Sequence, residues 1–257
     1  MRNKSKKLIN VAISVAFCTL LSTTAPLFSQ ERQVKKRTFD IGEQLTFSVN
    51  FGPFNAGTLV MTVEGIKNIN DSPCYHILYK LNSEGFLSLI YKVEDVIETF
   101  IDTVSLQPLL FKKHLREGGY KDDRLYYFDH VKNIAYNRTD TVTIPPYTQD
   151  MLSIFYYLRT LELDENKVIE IPNFDNGKII TIRFKIRKGK TVSVEAGRFK
   201  SVILEPTLAS GEKEKPKGSI TVWLTDDERK IPVLIKMEIK FGSITAKLTG
   251  IKNVKKN

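Results

Sequence analysis

Residues 181–188 read TIRFKIRK, and apolar and basic side chains alternate along most of this stretch. In an extended strand its isoleucine and phenylalanine side chains project to one face, and its basic side chains project to the other. The same alternation recurs in residues 231–240 and 243–249. The pattern therefore predicts an antiparallel sheet with one buried face and one hydrated face.

Short strands separated by turn residues account for most of the remaining chain. Turn residues such as Gly52-Pro53, Gly118-Gly119 and Asn176-Gly177 separate the apolar stretches. The further predicted strands cover about 43–51, 57–65, 74–81, 92–101, 108–117, 121–129, 133–138, 167–171, 200–206 and 218–225. We predict a mainly β protein with a curved antiparallel sheet. An open barrel, a half barrel and a sandwich are its alternative forms.

One segment departs from the β pattern. Residues 148–161 read TQDMLSIFYYLRTL, and apolar side chains recur there at helical spacing. Thr148 is predicted to cap the helix, Asp150 to lie near its positive end and Arg159 near its negative end. The apolar stripe comprises Met151, Ile154, Phe155, Leu158 and Leu161. We predict an amphipathic helix of about three to four turns on the concave face of the sheet, and a weaker helical turn at residues 84–90.

The first 29 residues have the three parts of a secretory signal peptide. They begin with basic residues, continue with an apolar run at 8–21, and end with small and polar residues. The run is short for a bilayer-spanning helix, which needs about 20 apolar residues. We predict cleavage after Ser29 and a periplasmic protein. An uncleaved N-terminal anchor and a lipid-modified Cys18 are the alternatives.

The rest of the chain is predicted to be one mainly β domain at 39–251, between a flexible lead at 30–38 and a basic tail at 252–257. Loss of four basic residues with the signal lowers the formal net charge from +10 to +6. Because basic residues are spread along the chain, we predict no nucleic-acid partner. Membrane contact is predicted only through the signal peptide before cleavage. Cys74 is then the sole cysteine, which excludes an internal disulfide.

Side chains that could support catalysis are few and dispersed. His76, His114 and His130 lack the paired spacing of zinc ligands, so neither a metal nor another cofactor is predicted. A hydrolase would need groups such as Asp150, His114 and Glu117 to converge in one cleft. No motif in the sequence indicates this convergence, and an enzyme is therefore the third and unsupported functional hypothesis.

Aromatic side chains are distributed over nearly every predicted strand and over the helix. On the concave face of a sheet, such side chains either pack solidly or enclose an apolar cavity. The side chains assigned to a cavity are Phe47, Phe51, Tyr79, Phe100, Phe111, Phe128, Met151, Phe155, Leu158 and Trp223. The leading hypothesis is a non-enzymatic protein that binds a lipid or another apolar small molecule. The alternative is an envelope module that docks a protein partner through a sheet edge or an apolar patch.

Several short motifs resemble one known family. They are GEQLTFSV (42–49) followed by AGT (56–58), REG (116–118), DMLS (150–153) with YYLR (156–159), EAGRF (195–199), and WLTDD (223–227) followed by IPV (231–233). In this order, over about residues 39–250, the chain resembles domain-of-unknown-function family 3108 of exported Gram-negative proteins. The resemblance implies a β-rich exported protein and no catalytic residues. Such a protein is similar to the half-barrel lipoprotein carriers of the periplasm, which is a likeness of fold alone.

Overall fold

The computed structural model describes residues 37–209 and 218–254, and its strands follow the apolar alternation of the sequence. The predicted signal peptide with its cleavage site, most of the predicted lead, and residues 255–257 of the predicted tail lie outside the described residues. The described part of the chain belongs to one compact unit.

Seventeen strands and two short helices follow one another in the described residues. The strands are β1 (Gln44–Phe51), β2 (Phe54–Ile69), β3 (Ser72–Ser83), β4 (Glu94–Asp102), β5 (Pro108–Glu117), β6 (Tyr120–Asp129), β7 (Ile134–Tyr136), β8 (Thr141–Thr143), β9 (Gln149–Asp150), β10 (Val168–Asp175), β11 (Lys178–Lys188), β12 (Val192–Val194), β13 (Gly197–Phe199), β14 (Ser201–Leu208), β15 (Ser219–Thr225), β16 (Pro232–Ile239) and β17 (Gly242–Lys252). The helices are α1 (Gly85–Ile90) and α2 (Ser153–Arg159). Every predicted strand corresponds to one of these, while β8, β9, β12 and β13 were not predicted.

Fifteen strands form one sheet in which nearly all neighbours are antiparallel. The order across the sheet is β8-β7-β6-β5-β4-β3-β2-β1-β17-β16-β15-β14-β11-β10-β9. β1 pairs with β17, so the first and last described strands lie side by side in the middle of the sheet. The exception to antiparallel pairing is β9, which pairs parallel with β10. Strands β12 and β13 form a separate hairpin.

The sheet is curled, and its two ends approach each other without backbone pairing. β8 and β9 are the opposite edges, and residues 144–148 alone connect them along the chain. Tyr126 and Phe128 on β6 pack edge-to-face against Phe174 on β10, with ring centroids 4.7 and 5.4 Å apart. Side chains therefore join the two ends of the sheet, which confirms the predicted curved and open form.

The concave face of the sheet holds most of the apolar core. Alternate side chains enter it, as Leu45 and Phe47 do from β1 and Ile97 and Ile101 from β4. A second apolar cluster forms where α2 packs on β10, β11, β14 and β15, and it includes Leu158. The prediction that an amphipathic helix packs on the concave face is therefore confirmed.

Packing extends slightly beyond the predicted domain boundaries at both ends. Thr38, assigned to the flexible lead, is buried, and the ring of Phe39 packs edge-to-face on Tyr75 and Tyr156 at 5.3 and 4.9 Å. At the other end, β17 continues through Lys252, the first residue of the predicted tail. The packing of the Phe39 ring accounts for the ordered position of the N-terminal residues. Pairing with β1 accounts for the continuation of β17 through Lys252.

Helix α2 begins later than predicted and has only about two turns. The prediction that Thr148 caps it is wrong, because the Thr148 hydroxyl donates a hydrogen bond to the carbonyl of Pro145, 2.6 Å away. Gln149–Asp150 form β9 instead, since pairing with β10 holds this segment extended. Met151 lies in the turn before the helix and is 38% exposed, which corrects its assignment to the apolar stripe.

Asp150 lies at the start of α2, as predicted, and it is fully buried. Its Oδ1 accepts hydrogen bonds from the backbone N–H groups of Leu152 and Ser153, at 2.8 and 2.7 Å. Its Oδ2 accepts a hydrogen bond from the hydroxyl of Thr99 on β4, at 2.5 Å. Asp150 thus satisfies helix N–H groups and fastens the helix to the concave face.

Arg159 at the other end of α2 forms a buried ion pair, and the helix dipole alone does not account for it. Its side chain is 2% exposed, and its guanidinium nitrogens lie 2.6 and 2.9 Å from the two carboxylate oxygens of Glu43. It also donates hydrogen bonds to the carbonyls of Thr38 and Arg229, at 3.1 and 3.0 Å. The planar guanidinium fork thereby links the helix to the N-terminal segment and to the β15–β16 turn.

Helix α1 confirms the predicted helical turn at residues 84–90. It lies in the connection between β3 and β4, at one end of the sheet. No helix within residues 37–209 and 218–254 combines the length and apolar character needed to cross a membrane.

Candidate functional site

Seven of the ten side chains predicted to line a cavity belong to the two apolar clusters or pack against them. Phe47, Phe111 and Phe128 are buried in the main core, Tyr79, Phe155 and Trp223 are partly buried against it, and Leu158 belongs to the second cluster. The inward direction of Phe47, Tyr79, Phe111 and Phe128 follows from the alternation along each strand, and that of Phe155 and Leu158 from the helical spacing in α2. Trp223 alternates with the buried Val222 and Leu224, so it does not share their face of β15. That these side chains enclose a ligand stays a prediction.

The other three predicted side chains lie outside these two clusters. Thr99 and Ile101 of β4 point inward, so Phe100 points to the outer face, where its ring stacks on His76 with centroids 4.4 Å apart. Phe51 is the last residue of β1 and, like Met151, is exposed. These positions correct the assignment of Phe100 and Met151 to a cavity lining, whereas Phe51 follows Phe47 and Val49 on the concave face and is exposed where β1 ends.

One end of the sheet gathers four connections that carry apolar side chains. Consecutive antiparallel strands reverse direction, so the β1–β2, β3–β4, β5–β6 and β16–β17 connections all lie at the same end. We call the large apolar side chains exposed there the apolar rim. Its members are Phe51, Phe54, Phe86, Leu89, Ile90, Tyr91, Tyr120 and Phe241. They range in exposure from 37% for Phe51 to 82% for Leu89.

Close contacts link neighbouring connections along the apolar rim. A Cβ atom on Gly242 would lie 3.4 Å from the ring of Phe51, so the β16–β17 and β1–β2 turns are adjacent. The Glu84 N–H donates a hydrogen bond to the carbonyl of Ala56, which ties the α1 connection to β2. Gly118 has φ +57°, and a Cβ atom there would lie 2.8 Å from the ring of Tyr91. The four connections that carry the rim therefore adjoin one another in an arc from the β16–β17 turn to the β5–β6 turn.

Ionisable side chains meet on the concave face below the apolar rim. We call Tyr79, Asp95, Lys113, Glu117 and Asp122 the inner charged cluster. The Nζ atom of Lys113 lies 3.0 Å from a carboxylate oxygen of Asp122, and both side chains are buried. Asp95 is also buried, and its carboxyl group is hydrogen-bonded to that of Glu117. The cluster thus contains an ion pair and a pair of carboxyl groups that share a site.

Two carboxyl groups of the cluster, those of Glu117 and Asp122, have shifted pKa values. Burial, with the charge of Asp95 beside it, raises the pKa of Glu117 above its usual value. Burial acts in the same direction on Asp122, but hydrogen bonds from Lys113 and Arg124 outweigh it and lower the pKa of Asp122. Burial raises the pKa of Tyr79 as well, so its hydroxyl stays protonated. Asp122 is therefore the ionised partner of Lys113, while Glu117 holds its proton to a higher pH.

Replacing Glu117 with glutamine is expected to stabilise the protein at about pH 8 and not at about pH 4. The folded-state pKa of Glu117 is raised, so its ionisation as the pH rises through that value costs folding free energy, and glutamine avoids this cost. Urea unfolding at the two pH values measures the difference. The matched control is Glu94→Gln, at an exposed carboxylate paired with Lys92. Equal effects of Glu117→Gln at the two pH values would contradict the assignment.

The groups that a hydrolase would need do not converge. His114 points to the outer face of β5, where its Nδ1 lies 2.5 Å from an oxygen of the exposed Asp123. Asp150 is buried on the concave face and fully engaged with Thr99 and the start of α2. In the part of the chain that the structure describes, no three His, Cys, Asp or Glu side chains are grouped so as to hold a metal ion.

Sequence reasoning missed the apolar rim and the inner charged cluster as sites. The sequence predicts a helical turn at residues 84–90 and does not indicate that its apolar side chains belong to a site. The available signal was the presence of large apolar side chains within predicted turns, such as Phe241 between two alternating strands. The cluster below the rim gave no such signal, because its members come from four different strands.

Residues 46–249 match the model of a family described as "Protein of unknown function (DUF3108)". The chain belongs to the DUF3108 family. This membership confirms the resemblance seen in the sequence, and the matched region contains the apolar rim, the inner charged cluster and both helices. Among curated proteins, none matches the DUF3108 chain.

The DUF3108 chain is similar to several solved structures. A beta-barrel-like protein of domain of unknown function DUF1849 from Brucella abortus is 11% identical with a TM-score of 0.58, over 84% of this chain and 98% of that chain. A "putative lipoprotein" from Parabacteroides distasonis is 10% identical with a TM-score of 0.39, over 86% of this chain and 99% of that chain. A "putative exported protein" from Bacteroides fragilis is 12% identical with a TM-score of 0.30, over 83% and 96%. The first likeness shows a shared β-barrel-like fold and nothing about function.

Proposed function

We propose that this DUF3108 protein is a non-enzymatic domain of the cell envelope that binds an apolar, lipid-like ligand through its apolar rim. The observation that carries the proposal is the arc of large apolar side chains exposed at one end of the sheet. Soluble proteins rarely leave such side chains contiguous and exposed without a binding role. The location in the envelope rests on the signal-peptide pattern of residues 1–29.

The energetics favour an apolar ligand over a polar one at the rim. Burying one large apolar side chain contributes about 1.5–3 kcal/mol. Covering two or three rim side chains therefore supplies several kcal/mol, from which the costs of association are subtracted. We expect a dissociation constant of about micromolar for a single acyl chain.

Binding of cis-parinaric acid, a fluorescent fatty acid, tests this function. The double variant Phe86→Ser/Leu89→Ser is expected to weaken binding at least about ten-fold, because it removes two of the most exposed rim side chains. The matched control is Val131→Ser, since Val131 is 94% exposed in the turn at the opposite end of the sheet. Equal affinities of the double variant and the wild type would contradict a role for the rim.

The sheet edges offer little to a protein partner that adds a strand. The edge strands β8 and β9 contain three and two residues. Such short edges present few backbone groups for pairing with a partner strand. We therefore place the binding function at the apolar rim rather than at an edge of the sheet.

A further inference from the structure

We infer that the apolar rim docks on the surface of a lipid bilayer that contains anionic headgroups. The inference rests on the proposed function and names the source of its lipid. It departs from the expectation, drawn from the sequence, that the membrane is contacted only through the signal peptide.

The rim side chains protrude, which favours a bilayer over a ligand held in a pocket. Phe86, Leu89 and Phe241 are 72%, 82% and 79% exposed, so little protein surrounds them. A bilayer accepts protruding apolar side chains, because they enter the boundary between headgroups and acyl chains.

The position of the rim suits contact with a flat surface. Its side chains come from four separate connections at one end of the sheet, and α1 supplies three of them, Phe86, Leu89 and Ile90. Side chains that protrude from one end of the sheet can enter a membrane together while the sheet keeps its conformation. Phenylalanine and tyrosine are also common where proteins meet the membrane interface.

Basic side chains accompany the rim and complement anionic headgroups. Lys240 lies beside Phe241, with its Nζ atom 5.2 Å from the centre of the ring. Lys121 is exposed next to Tyr120 at the β5–β6 turn. Lys92 follows Tyr91, although its charge is partly offset by Glu94, 2.9 Å away. Lysine side chains at the edge of an apolar contact reach the headgroups, and each contributes to attraction by an anionic surface.

Vesicle flotation tests the inference with protein purified after export. Wild type is expected to float with phosphatidylcholine vesicles that contain phosphatidylglycerol, and less with phosphatidylcholine alone. Phe86→Ser/Leu89→Ser is expected to lower the bound fraction at least about ten-fold at limiting lipid, while Val131→Ser leaves it unchanged. All variants share the same N-terminus, so any contribution of residues 1–29 is common to them. Absence of flotation, or flotation unchanged in the double variant, would overturn the inference.

Lys121→Gln/Lys240→Gln tests the part that charge plays. It should reduce flotation with the anionic vesicles and leave flotation with phosphatidylcholine unchanged, since only the first surface is charged. An equal reduction with the two vesicle types would overturn the assignment of anionic headgroups. Circular dichroism and unfolding midpoints equal to those of the wild type confirm that each variant folds.

Two further measurements separate the inference from the proposed function. Binding of cis-parinaric acid without vesicle flotation would overturn bilayer docking and leave the proposed function standing. Failure of both would overturn both. If the wild type is a dimer that the double variant converts to a monomer, and neither floats, the rim is an interface between copies of this chain and bilayer docking is again overturned.

Discussion

Replacing Arg159 with methionine is expected to lower the free energy of unfolding by about 3–5 kcal/mol. Methionine leaves the carboxylate of Glu43 buried without the guanidinium that lies 2.6 Å from it. It also removes the hydrogen bonds to the carbonyls of Thr38 and Arg229. Urea unfolding followed by the fluorescence of Trp223, the only tryptophan, measures the loss.

The matched control for this substitution is Arg187→Met. Arg187 pairs with Glu205 on the hydrated face of β11 and β14, where about half of the arginine side chain is exposed. Exposed pairs contribute about 1 kcal/mol or less, so the control should unfold nearly as the wild type does. The double variant Glu43→Leu/Arg159→Met should recover part of the loss, because it removes the unpaired charge. Equal losses in the free energy of unfolding for Arg159→Met and Arg187→Met would contradict the expectation that the buried Arg159–Glu43 pair contributes more than an exposed pair.

Replacing Asp150 with alanine is expected to lower the free energy of unfolding by about 2–4 kcal/mol. Alanine leaves the N–H groups of Leu152 and Ser153 and the hydroxyl of Thr99 without their buried acceptor. Asp150→Asn keeps an oxygen of nearly the same position and should lose much less. The control Asp164→Ala removes an exposed carboxylate 3.6 Å from Lys167 and should change the free energy by about 0.5 kcal/mol or less.

The same pair of variants reports the ionisation of Asp150. Burial raises its pKa, while hydrogen bonds from Ser153, Thr99 and Leu152 act against the shift. With a raised folded-state pKa, the wild type loses stability as the pH rises from the ordinary aspartate value of about 3.9 through the folded value. Asparagine does not ionise, so the stability of Asp150→Asn relative to the wild type should increase over that range. A constant difference at every pH would contradict the raised pKa.

The strands were predictable because successive residues of a strand alternate between the buried and the hydrated face, and this alternation is visible in the sequence. Residues 181–188 and 243–249 alternate, and the structure has β11 and β17 at these places. The start of α2 was less predictable, because pairing of Gln149–Asp150 with β10 is a contact between distant parts of the chain. The partner of Arg159 was equally hidden, since Glu43 lies 116 residues earlier. Helical spacing predicts the face of the helix on which a side chain lies, but it does not predict the residue with which that side chain forms an ion pair.

The candidate site was harder to predict than the fold. Each rim side chain looks like an ordinary turn residue until the strand order places four connections at one end. The alternation correctly placed Phe47, Phe111 and Phe128 in the interior. The alternation did not show that Phe100 points to the outer face. Which of the two faces of β4 turns toward the core depends on the register of β4 with its neighbouring strands.

The pairing of β1 with β17 also determines when the protein can fold. These strands are separated by about 200 residues, so their pairing gives the chain a high contact order. Until β17 is available, β1 has β2 on one side and an open edge on the other, which is prone to wrong pairing. The centre of the sheet is therefore completed only when two strands that lie far apart in the sequence meet.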